Sequence, residues 1–442
     1  MIGCHIGRFF QVTVAGGSYQ EGLTSMVHGV PAGMPLTEQE LYGDLLLRKP
    51  GADELSSPRK EPDLPVIYTG LNAADTVENA GNKNLTNGTP LTILIPNLDR
   101  HFIHIKQYQD TNRTPRPGHA SWASFVKYGP CDDAIGAGIF SGRYTAAIVA
   151  AGCVAKKILS KMGVKVFAFV RELAGVRCGD LETAEAYAAV ESYKRMRRDF
   201  DPFYQQIYAA GRITMEMRFL EKLRILAEVE KDIDAMREKA PPWDAETVEK
   251  KYNVHPVLNC PDIDAAHAMV DACNRISSEG DSAGGVVEVV VAGLPAGVGE
   301  PVFCKLDAEL GRLMGIGAVK GVEIGAGFAV KDMTGSQNND QMRAINGEVV
   351  FDSNNAGGIT GGLSTGQDIV VRLAVKPTPT IAKPQHTIDK YTLENKVLSA
   401  ITRRDPTIVA RVWPVAENMT AMIILDNLIA HYGYRKLMEL TW

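Results

Sequence analysis

A proline-rich turn that follows a strand-like run offers groups suited to a phosphorylated ligand. Residues 352–385 open with two glycine pairs, continue through a β-branched run at 369–375 and reach Lys376, Thr378 and Thr380, which alternate with prolines. Glycines allow the backbone to approach a flat ring closely, prolines stiffen the turn, and a lysine with hydroxyls can bind phosphate. The turn is either a phosphate-binding loop or a plain strand end, and composition favours neither.

His119 is the histidine whose neighbours best suit proton exchange. It follows Arg116, a proline and a glycine. An imidazole with an ordinary pKa of about 6.5 can give and take protons near neutrality. His119 is therefore a candidate general acid, although a lone histidine in a polar loop is usually structural.

Two further segments carry groups that could act in a site. The glycine-rich loop at 136–142 precedes a predicted helix, where backbone N–H groups can bind an anion. It lacks the preceding strand of a dinucleotide-binding motif. Asp405 directly follows Arg403 and Arg404, and a helix-flanking salt bridge is the default interpretation.

The bulk composition disfavours several classes of protein. The chain has 442 residues, with 47 basic and 52 acidic side chains and no basic cluster, so nucleic acid is not an expected partner. Seven cysteines without C-x-x-C spacing indicate a reduced, cytoplasmic protein without a structural metal. We expect neither a signal peptide nor a membrane span, because no apolar run of spanning length occurs.

Strands and helices mix without strict alternation, which favours an α+β fold over a doubly wound sheet. Helices are predicted over about 38–47, 144–161, 263–278, 393–401 and 416–440, and strands over 90–96, 164–170, 286–291 and 369–375. The helix at 144–161 is small or apolar nearly all round and should lie in the centre of the fold. Residues 181–251, dense in Glu, Lys, Arg and Met, indicate a helical hairpin whose charged faces are most simply solvated, or less simply a docking arm.

The sequence resembles chorismate synthase in eight ordered segments. They are GVPAGMPLTE at 29–38, SPRKEPD at 57–63, RPGHA at 116–120, GDSAGGVVEVV at 280–290, AVKGVEIGAGF at 318–328, GSQNND at 335–340, NNAGGITGGLS at 354–364 and VKPTPTIAKPQ at 375–385. The resemblance covers nearly the whole chain apart from the helical segment. We therefore expect one domain over 1–442 with a helical insertion at 181–251.

What the resemblance implies is a β-α-β sandwich, with long central helices between antiparallel sheets, assembled as a homotetramer. It implies reduced FMN as cofactor and a shikimate-derived small molecule as substrate. The implied reaction is the 1,4-anti elimination of phosphate from 5-enolpyruvylshikimate-3-phosphate to give chorismate, without net redox change. The cofactor supplies the electron chemistry and the protein orients it. A flavin reductase is a candidate partner.

The resemblance implies a flavin side that this chain retains. The matching cofactor positions are Ser141, Gly317, Ala318, Gly361, Lys376, Pro377, Thr378, Pro379, Thr380 and Arg403. Asp405 matches an aspartate that assists proton removal near flavin N5. His119 matches a histidine that stabilises the charge of the flavin.

The substrate side departs from the family pattern. Tyr19 stands where the family has the histidine thought to protonate the departing phosphate, and a phenol with a pKa of about 10 exchanges protons poorly near neutrality. The substrate-binding candidates are Arg48, Arg116 and Arg143. Other departures are Glu54 at an arginine position, Arg404 at a histidine position, and Ile139, Phe140 and Tyr144 at Arg, Ser and Glu positions. Losing several cations should weaken phosphate binding by several kcal/mol.

Three functions follow from this comparison. The first is a chorismate synthase-type carbon–oxygen lyase, supported by the retained flavin side. The second is a paralogue with the same fold and flavin that acts on a different shikimate-derived cyclohexene carboxylate. The third is a non-catalytic flavin-binding subunit with the helical segment as a docking arm.

Overall fold

The computed structural model describes residues 2–50, 55, 60–75, 80–99, 112–240, 244–398 and 405–442. The predicted features at Glu54, Arg403 and Arg404 lie outside these residues.

Two five-stranded antiparallel sheets form the strand layers of the fold. The strands are β1 (His5–Ile6), β2 (Val12–Gly16), β3 (Gly22–Val27), β4 (Val66–Thr69), β5 (Leu91–Pro96), β6 (Lys165–Leu173), β7 (Val176–Arg177), β8 (Gly285–Ala292), β9 (Val319–Ile324), β10 (Met342–Ile345), β11 (Glu348–Phe351), β12 (Ile359–Thr360), β13 (Leu363–Ser364), β14 (Ile369–Val375), β15 (Gln385–Ile388) and β16 (Asn395–Leu398). The first sheet has the order β1-β2-β3-β5-β4 and the second β7-β6-β8-β14-β9. The remaining strands form three two-stranded hairpins, which pair β10 with β11, β12 with β13, and β15 with β16.

Helices fill the space between the sheets and one flank of the molecule. They are α1 (Glu38–Arg48), α2 (Ser121–Tyr128), α3 (Thr145–Lys161), α4 (Thr183–Phe200), α5 (Phe219–Glu238), α6 (Ala245–Tyr252), α7 (Ile263–Ser278), α8 (Leu306–Leu310), α9 (Gly335–Asn338), α10 (Val409–Tyr432) and α11 (Tyr434–Met438). None of the helices in the described ranges is long and apolar enough to cross a membrane.

The centre of the fold is the pair α3 and α10. Helix α3 packs on β3 and β5 of the first sheet, and α10 packs on β6 and β8 of the second. The two helices approach closely at Gly152, where a Cβ atom would lie 2.4 Å from Cβ of Asn418. The small side chains of α3 permit this close contact. Every alanine of that helix is fully buried, which agrees with tight packing on all its sides. The predicted central helix and the α+β sandwich are confirmed.

The helical segment packs on this core. It consists of α4, a π-helical turn (Tyr204–Ala209), α5 and α6. Lys194 of α4 places Nζ 2.9 Å from Oε1 of Glu417 in α10, and Lys222 of α5 pairs with Glu38 of α1. Both lysines are buried, so the prediction that the charged faces are solvated is wrong for them. That the segment is an insertion within one domain stays a prediction.

Two predicted helices differ from the structure. The prediction of a helix over 393–401 is wrong for the described residues 393–398. They contain β16, which pairs with β15 in an antiparallel hairpin. Asp389 Oδ1 accepts the backbone N–H of Tyr391 at 2.9 Å, and Leu393 adopts a φ of 61°, so local turn chemistry reverses the chain. The last helix begins at Val409, ahead of Pro414, and ends before Gly433, whose φ is 77°.

Candidate active site

Two loops meet beyond the carboxyl end of β14. That strand ends at Val375 because the prolines that follow cannot continue a ladder. Lys376 Nζ then donates a hydrogen bond to the carbonyl of Gly118, and Arg116 Nη1 lies 3.4 Å from Oγ1 of Thr380. Pro379 also faces Gly118, since a Cβ atom on Gly118 would lie 3.3 Å from Cβ of Pro379. The structure thus brings together Arg116, His119 and the 376–380 turn.

Asp405 is joined to this turn through backbone contacts. Thr378 Oγ1 donates to the carbonyl of Asp405 at 2.7 Å, and Ser282 Oγ donates to the carbonyl of Thr378 at 2.8 Å. The hydroxyl of Thr378 therefore fixes the chain around Asp405, whereas the sequence predicted it as a phosphate donor. Pro377 packs beside Gly284, where a Cβ atom would lie 3.0 Å from Cδ of the proline.

His119 is half-buried and electrically neutral near pH 7. Burial, together with the cations Arg116 and Lys376, lowers the pKa of His119 to about 4. Its Nδ1 is buried and has no hydrogen-bond partner among the described residues. A neutral imidazole is poorly suited to the general-acid role predicted from the ordinary pKa, but its unpaired Nδ1 can accept a hydrogen bond from a bound molecule.

Gly317 and Ala318 lie beside the same turn, just before β9. Ala318 has a φ of 73°, a left-handed conformation that side chains rarely adopt, and its carbonyl accepts the backbone N–H of Lys376 at 3.0 Å. The backbone N–H of Gly317 donates to Oη of Tyr144 at 3.1 Å. Tyr144 in turn donates to the carbonyl of Gly315 at 3.1 Å. The 136–144 loop is thereby tied to the predicted flavin side.

Tyr19 lies in the turn that follows β2. Asn97 holds this turn, since its Nδ2 donates to the carbonyls of Gly17 at 2.9 Å and Gln20 at 2.8 Å. The ring of Tyr19 packs over Gly136, where a Cβ atom would lie 2.4 Å from the ring carbons. The residue that replaces the expected histidine is thus in contact with the glycine-rich loop.

Arg48 and Arg143 are buried and share one carboxylate. Arg48 ends α1, donates Nε–H to Oδ2 of Asp63 at 2.9 Å and Nη1–H to Oγ1 of Thr145 at 3.1 Å. Arg143 pairs with the other oxygen of Asp63 and donates Nε–H to Oδ1 of Asn97 at 2.8 Å. The structure brings the two predicted substrate-binding arginines together but surrounds them with protein groups.

The titration of this cluster reflects its burial. Burial alone would raise the pKa of Asp63, but Arg143 and Arg48 bring it below the ordinary value. Burial lowers the pKa of Arg48 to about 10, in spite of Asp63, and the nearby cations Arg411 and Arg143 add to that effect. Asp63 and Arg48 therefore both remain charged near neutrality, and the guanidinium groups of Arg48 and Arg143 both pair with Asp63.

Arg411 is a site residue that the sequence analysis missed. Its Nη1 lies 3.8 Å from Oδ2 of Asp405, and its Nε donates to the carbonyl of Arg48 at 3.1 Å. The sequence interpretation paired Asp405 with Arg403 or Arg404. Arg411 stands six residues after Asp405 in the first turn of α10, a spacing that becomes informative only if the helix is known to begin at Val409.

Two predicted cofactor positions have local roles in the structure. Ser141 Oγ accepts the backbone N–H of Arg143 at 3.2 Å and so caps the short turn that carries Arg143. Gly361 lies in the β12–β13 turn with a φ of 65°. That hairpin is bonded to residues 297–306 through Gly362, whose carbonyl accepts the N–H of Leu306 at 3.0 Å. The hairpin that carries Gly361 is therefore bonded to residues 297–306, and among the described residues no hydrogen bond joins Gly361 to the 376–380 turn.

One trio outside this site has the composition of a metal site. Glu249, His255 and His267 have their ligand atoms within 4.8 Å of one another. However, His255 Nδ1 accepts the N–H groups of Val257 at 3.1 Å and Leu258 at 3.2 Å. The ring proton is therefore on Nε2, which leaves that nitrogen without a lone pair for a metal.

Comparison with known proteins identifies a consistent set of relatives. The chorismate synthase family model matches residues 10–429. The chorismate synthase of Acetivibrio thermocellus is 38% identical over 98% of this chain and 97% of its own length, and that of Methanosarcina acetivorans is 37% identical over 97% of each. A crystal structure of chorismate synthase has the same fold, with a TM-score of 0.62 at 24% identity over 98% of this chain and 97% of that one.

Proposed function

The chain belongs to the chorismate synthase family, and from this premise we propose that it is an FMN-dependent lyase that converts 5-enolpyruvylshikimate-3-phosphate to chorismate. Membership of the family indicates an enzyme that eliminates phosphate. The observation that carries the proposal is the convergence of Arg116, His119, Lys376 and Ala318 around the chain that leads to Asp405.

The residues present fit a flavin nucleotide. The buried Nδ1 of His119 lacks a partner in the described part of the chain and can accept an N–H of the ring system. The left-handed Ala318 exposes a stretch of backbone beside Lys376, a type of strain that accompanies ligand contacts. Lys376 and Arg116 supply positive charge for the phosphate of FMN or for the flavin ring. Reduced flavin, when bound, supplies the electron density that the elimination requires.

The protein groups account for the proton and the leaving group. The phosphate and the proton leave from the two carbons that flank the existing ring double bond. The electron pair of the C–H bond forms a double bond to the nearer alkene carbon, the original double bond shifts to the carbon that bore the phosphate, and phosphate departs with the electron pair of its C–O bond, so that a conjugated diene results. Asp405 is a carboxylate and takes the role of proton acceptor. Tyr19 can donate a hydrogen bond to the departing phosphate without transferring its proton.

A second substrate is favoured by one specific observation. Arg48 and Arg143 both pair with Asp63 inside the protein, and Arg143 Nη2 also lies 3.7 Å from Oε2 of Glu61, so both guanidinium groups are already engaged by buried carboxylates. Together with Tyr19 in place of the expected histidine, this supports a paralogue that acts on a shikimate-derived cyclohexene carboxylate with less phosphate charge. The same fold and flavin serve both candidates.

A homotetramer in the cytoplasm is part of the proposal. The β10–β11 hairpin supports it, because both strands are exposed and one face carries only apolar side chains, namely Met342, Ala344, Val349 and Phe351. A second copy of the chain would cover such a face. A separate flavin reductase remains the proposed source of reduced FMN.

An anaerobic assay tests the proposed reaction. Purified protein, FMN reduced with dithionite and 5-enolpyruvylshikimate-3-phosphate are incubated together, and chorismate is measured by mass spectrometry. We expect chorismate that depends on reduction and is lost in Asp405→Asn. Absence of chorismate, combined with failure to rescue a strain that lacks chorismate synthase, would exclude this reaction. A gain of chorismate in Tyr19→His, accompanied by turnover of another cyclohexene carboxylate in the wild type, would select the second candidate.

A further inference from the structure

The geometry points to Tyr144 as a positioning residue for the cofactor. We infer that its hydroxyl holds Gly317 and Ala318 in the conformation that receives FMN. This inference rests on the proposed function. It assigns a role to a side chain that replaces an expected glutamate and that no catalytic step uses.

Tyr144 makes the two hydrogen bonds that a phenol can make at once. Its Oη accepts from the N–H of Gly317 at 3.1 Å and donates to the carbonyl of Gly315 at 3.1 Å. The two backbone groups lie two residues apart, so one hydroxyl closes the turn that leads into β9. A carboxylate at this position could accept from Gly317 but has no proton for Gly315. Burial raises the pKa of Tyr144, which preserves the donor over the working pH range.

The turn needs such support because Ala318 is strained. Its φ of 73° is a left-handed conformation that is unfavourable for an alanine. Two hydrogen bonds fix the backbone at Gly317 and Ala318. Tyr144 binds the N–H of Gly317, and the backbone N–H of Lys376 donates to the carbonyl of Ala318 at 3.0 Å.

The same contacts connect Tyr144 to the rest of the flavin side. Lys376, which binds the backbone of Ala318, also reaches Gly118 beside His119 through its side chain. Tyr144 directly follows Arg143, which pairs with Asp63. Release of the Gly317 turn should therefore disturb the flavin side first, while the buried arginine pair keeps its own partners.

Tyr144→Phe removes the hydroxyl and keeps the ring. Tyr434→Phe is the matched control, since Tyr434 Oη also donates to a backbone carbonyl, that of Val30 at 2.9 Å, outside this site. Two quantities are measured for the wild type and both variants: the dissociation constant of reduced FMN, by anaerobic calorimetry, and the hydrogen exchange of the Gly317 amide, by mass spectrometry. Thermal unfolding verifies that all three proteins are folded.

For Tyr144→Phe we expect FMN binding to weaken by about tenfold and Gly317 exchange to accelerate by a similar factor. Tyr434→Phe should bind FMN within about twofold of the wild type. If Tyr144→Phe binds FMN as tightly as the wild type while the wild type forms product, this inference is wrong and the proposed function stands. If the wild type does not bind FMN, the proposed function is wrong and the inference falls with it.

Discussion

Arg411 connects the proposed proton acceptor Asp405 to the helix that carries Arg48. Nη1 of Arg411 lies 3.8 Å from Oδ2 of Asp405, and its Nε donates at 3.1 Å to the carbonyl of Arg48, the last residue of α1. Terminal carbonyls of a helix lack intrahelical partners, so this bond also completes the end of α1. One guanidinium thus sets the position of Asp405 relative to the buried arginine pair.

Loss of Arg411 should impair turnover through Asp405. We expect Asp405→Asn to lower kcat by about 100-fold or more, as for removal of a general base. Arg411→Gln should lower kcat by about tenfold with a smaller change in KM, because the carboxylate loses its orientation and remains present. Anaerobic steady-state kinetics of the two single variants and the double variant provide the measurement.

The double variant distinguishes positioning from an independent effect. If Arg411 acts through Asp405, Arg411→Gln adds little to Asp405→Asn, since interacting residues are not additive. Arg411→Lys should recover part of the activity, because it retains the charge. Fully additive losses in kcat would contradict the assigned role.

Asp63 should be essential for stability, because it pairs with two buried arginines. Asp63→Asn leaves the guanidinium groups of Arg48 and Arg143 without their shared carboxylate, and we expect the free energy of unfolding to fall by about 3–5 kcal/mol. Asp332→Asn is the control. It removes an exposed pair with Lys331, which should contribute at most about 1 kcal/mol. Urea unfolding of both variants measures the difference, and equal losses would show that the cluster is not a stability determinant.

The fold was predictable where sequence periodicity and tertiary packing agree. Strand β14 coincides with the predicted 369–375, because β-branched residues fill it and prolines end it. The small, apolar pattern of α3 likewise predicted a central helix. The helix expected over 393–401 failed because the carboxylate of Asp389 organises a turn, a contact that no periodicity displays.

The site was predictable from motifs only in part. The resemblance indicated His119, Lys376 and Asp405, and the structure joins the loops that carry them. It could not indicate that Arg48 and Arg143 are buried, because an arginine on an open cleft and one paired with Asp63 have the same sequence signature. The role of Tyr144 was hidden for a related reason, since its partners are backbone groups more than 170 positions later.

The stability of the protein should decrease in acid through His119. Its pKa is lowered from an ordinary value of 6.5 to about 4. Between these two pH values His119 is protonated in the unfolded chain but neutral in the folded chain. The stabilisation is complete above about pH 6.5 and is lost as the pH falls towards about 4, by roughly 2 kcal/mol after allowance for partial exposure. His255, with a pKa also lowered to about 4 by burial and by His267, adds a second contribution.

Urea unfolding at pH 7 and at pH 4.5 separates the two histidines. His119→Asn should reduce the acid-induced loss of stability by about half, and His255→Asn should account for the other part. Bound FMN should reverse the effect at His119 if the anionic cofactor lies against the imidazole. A pH dependence that is identical in the wild type and His119→Asn would contradict the lowered pKa.

The β10–β11 hairpin gives a sharp test of the proposed homotetramer, because its two faces differ. The register pairs Ala344 with Val349 and Arg343 with Val350, so the two neighbouring valines point to opposite faces. Val349 lies on the apolar face and Val350 on the face that carries Arg343 and Glu348. Val349→Lys should bury a charge at the interface and dissociate the assembly, whereas Val350→Lys should leave it intact. Light scattering coupled to size exclusion gives the mass of each variant, and an unchanged mass for Val349→Lys would remove the hairpin from the interface.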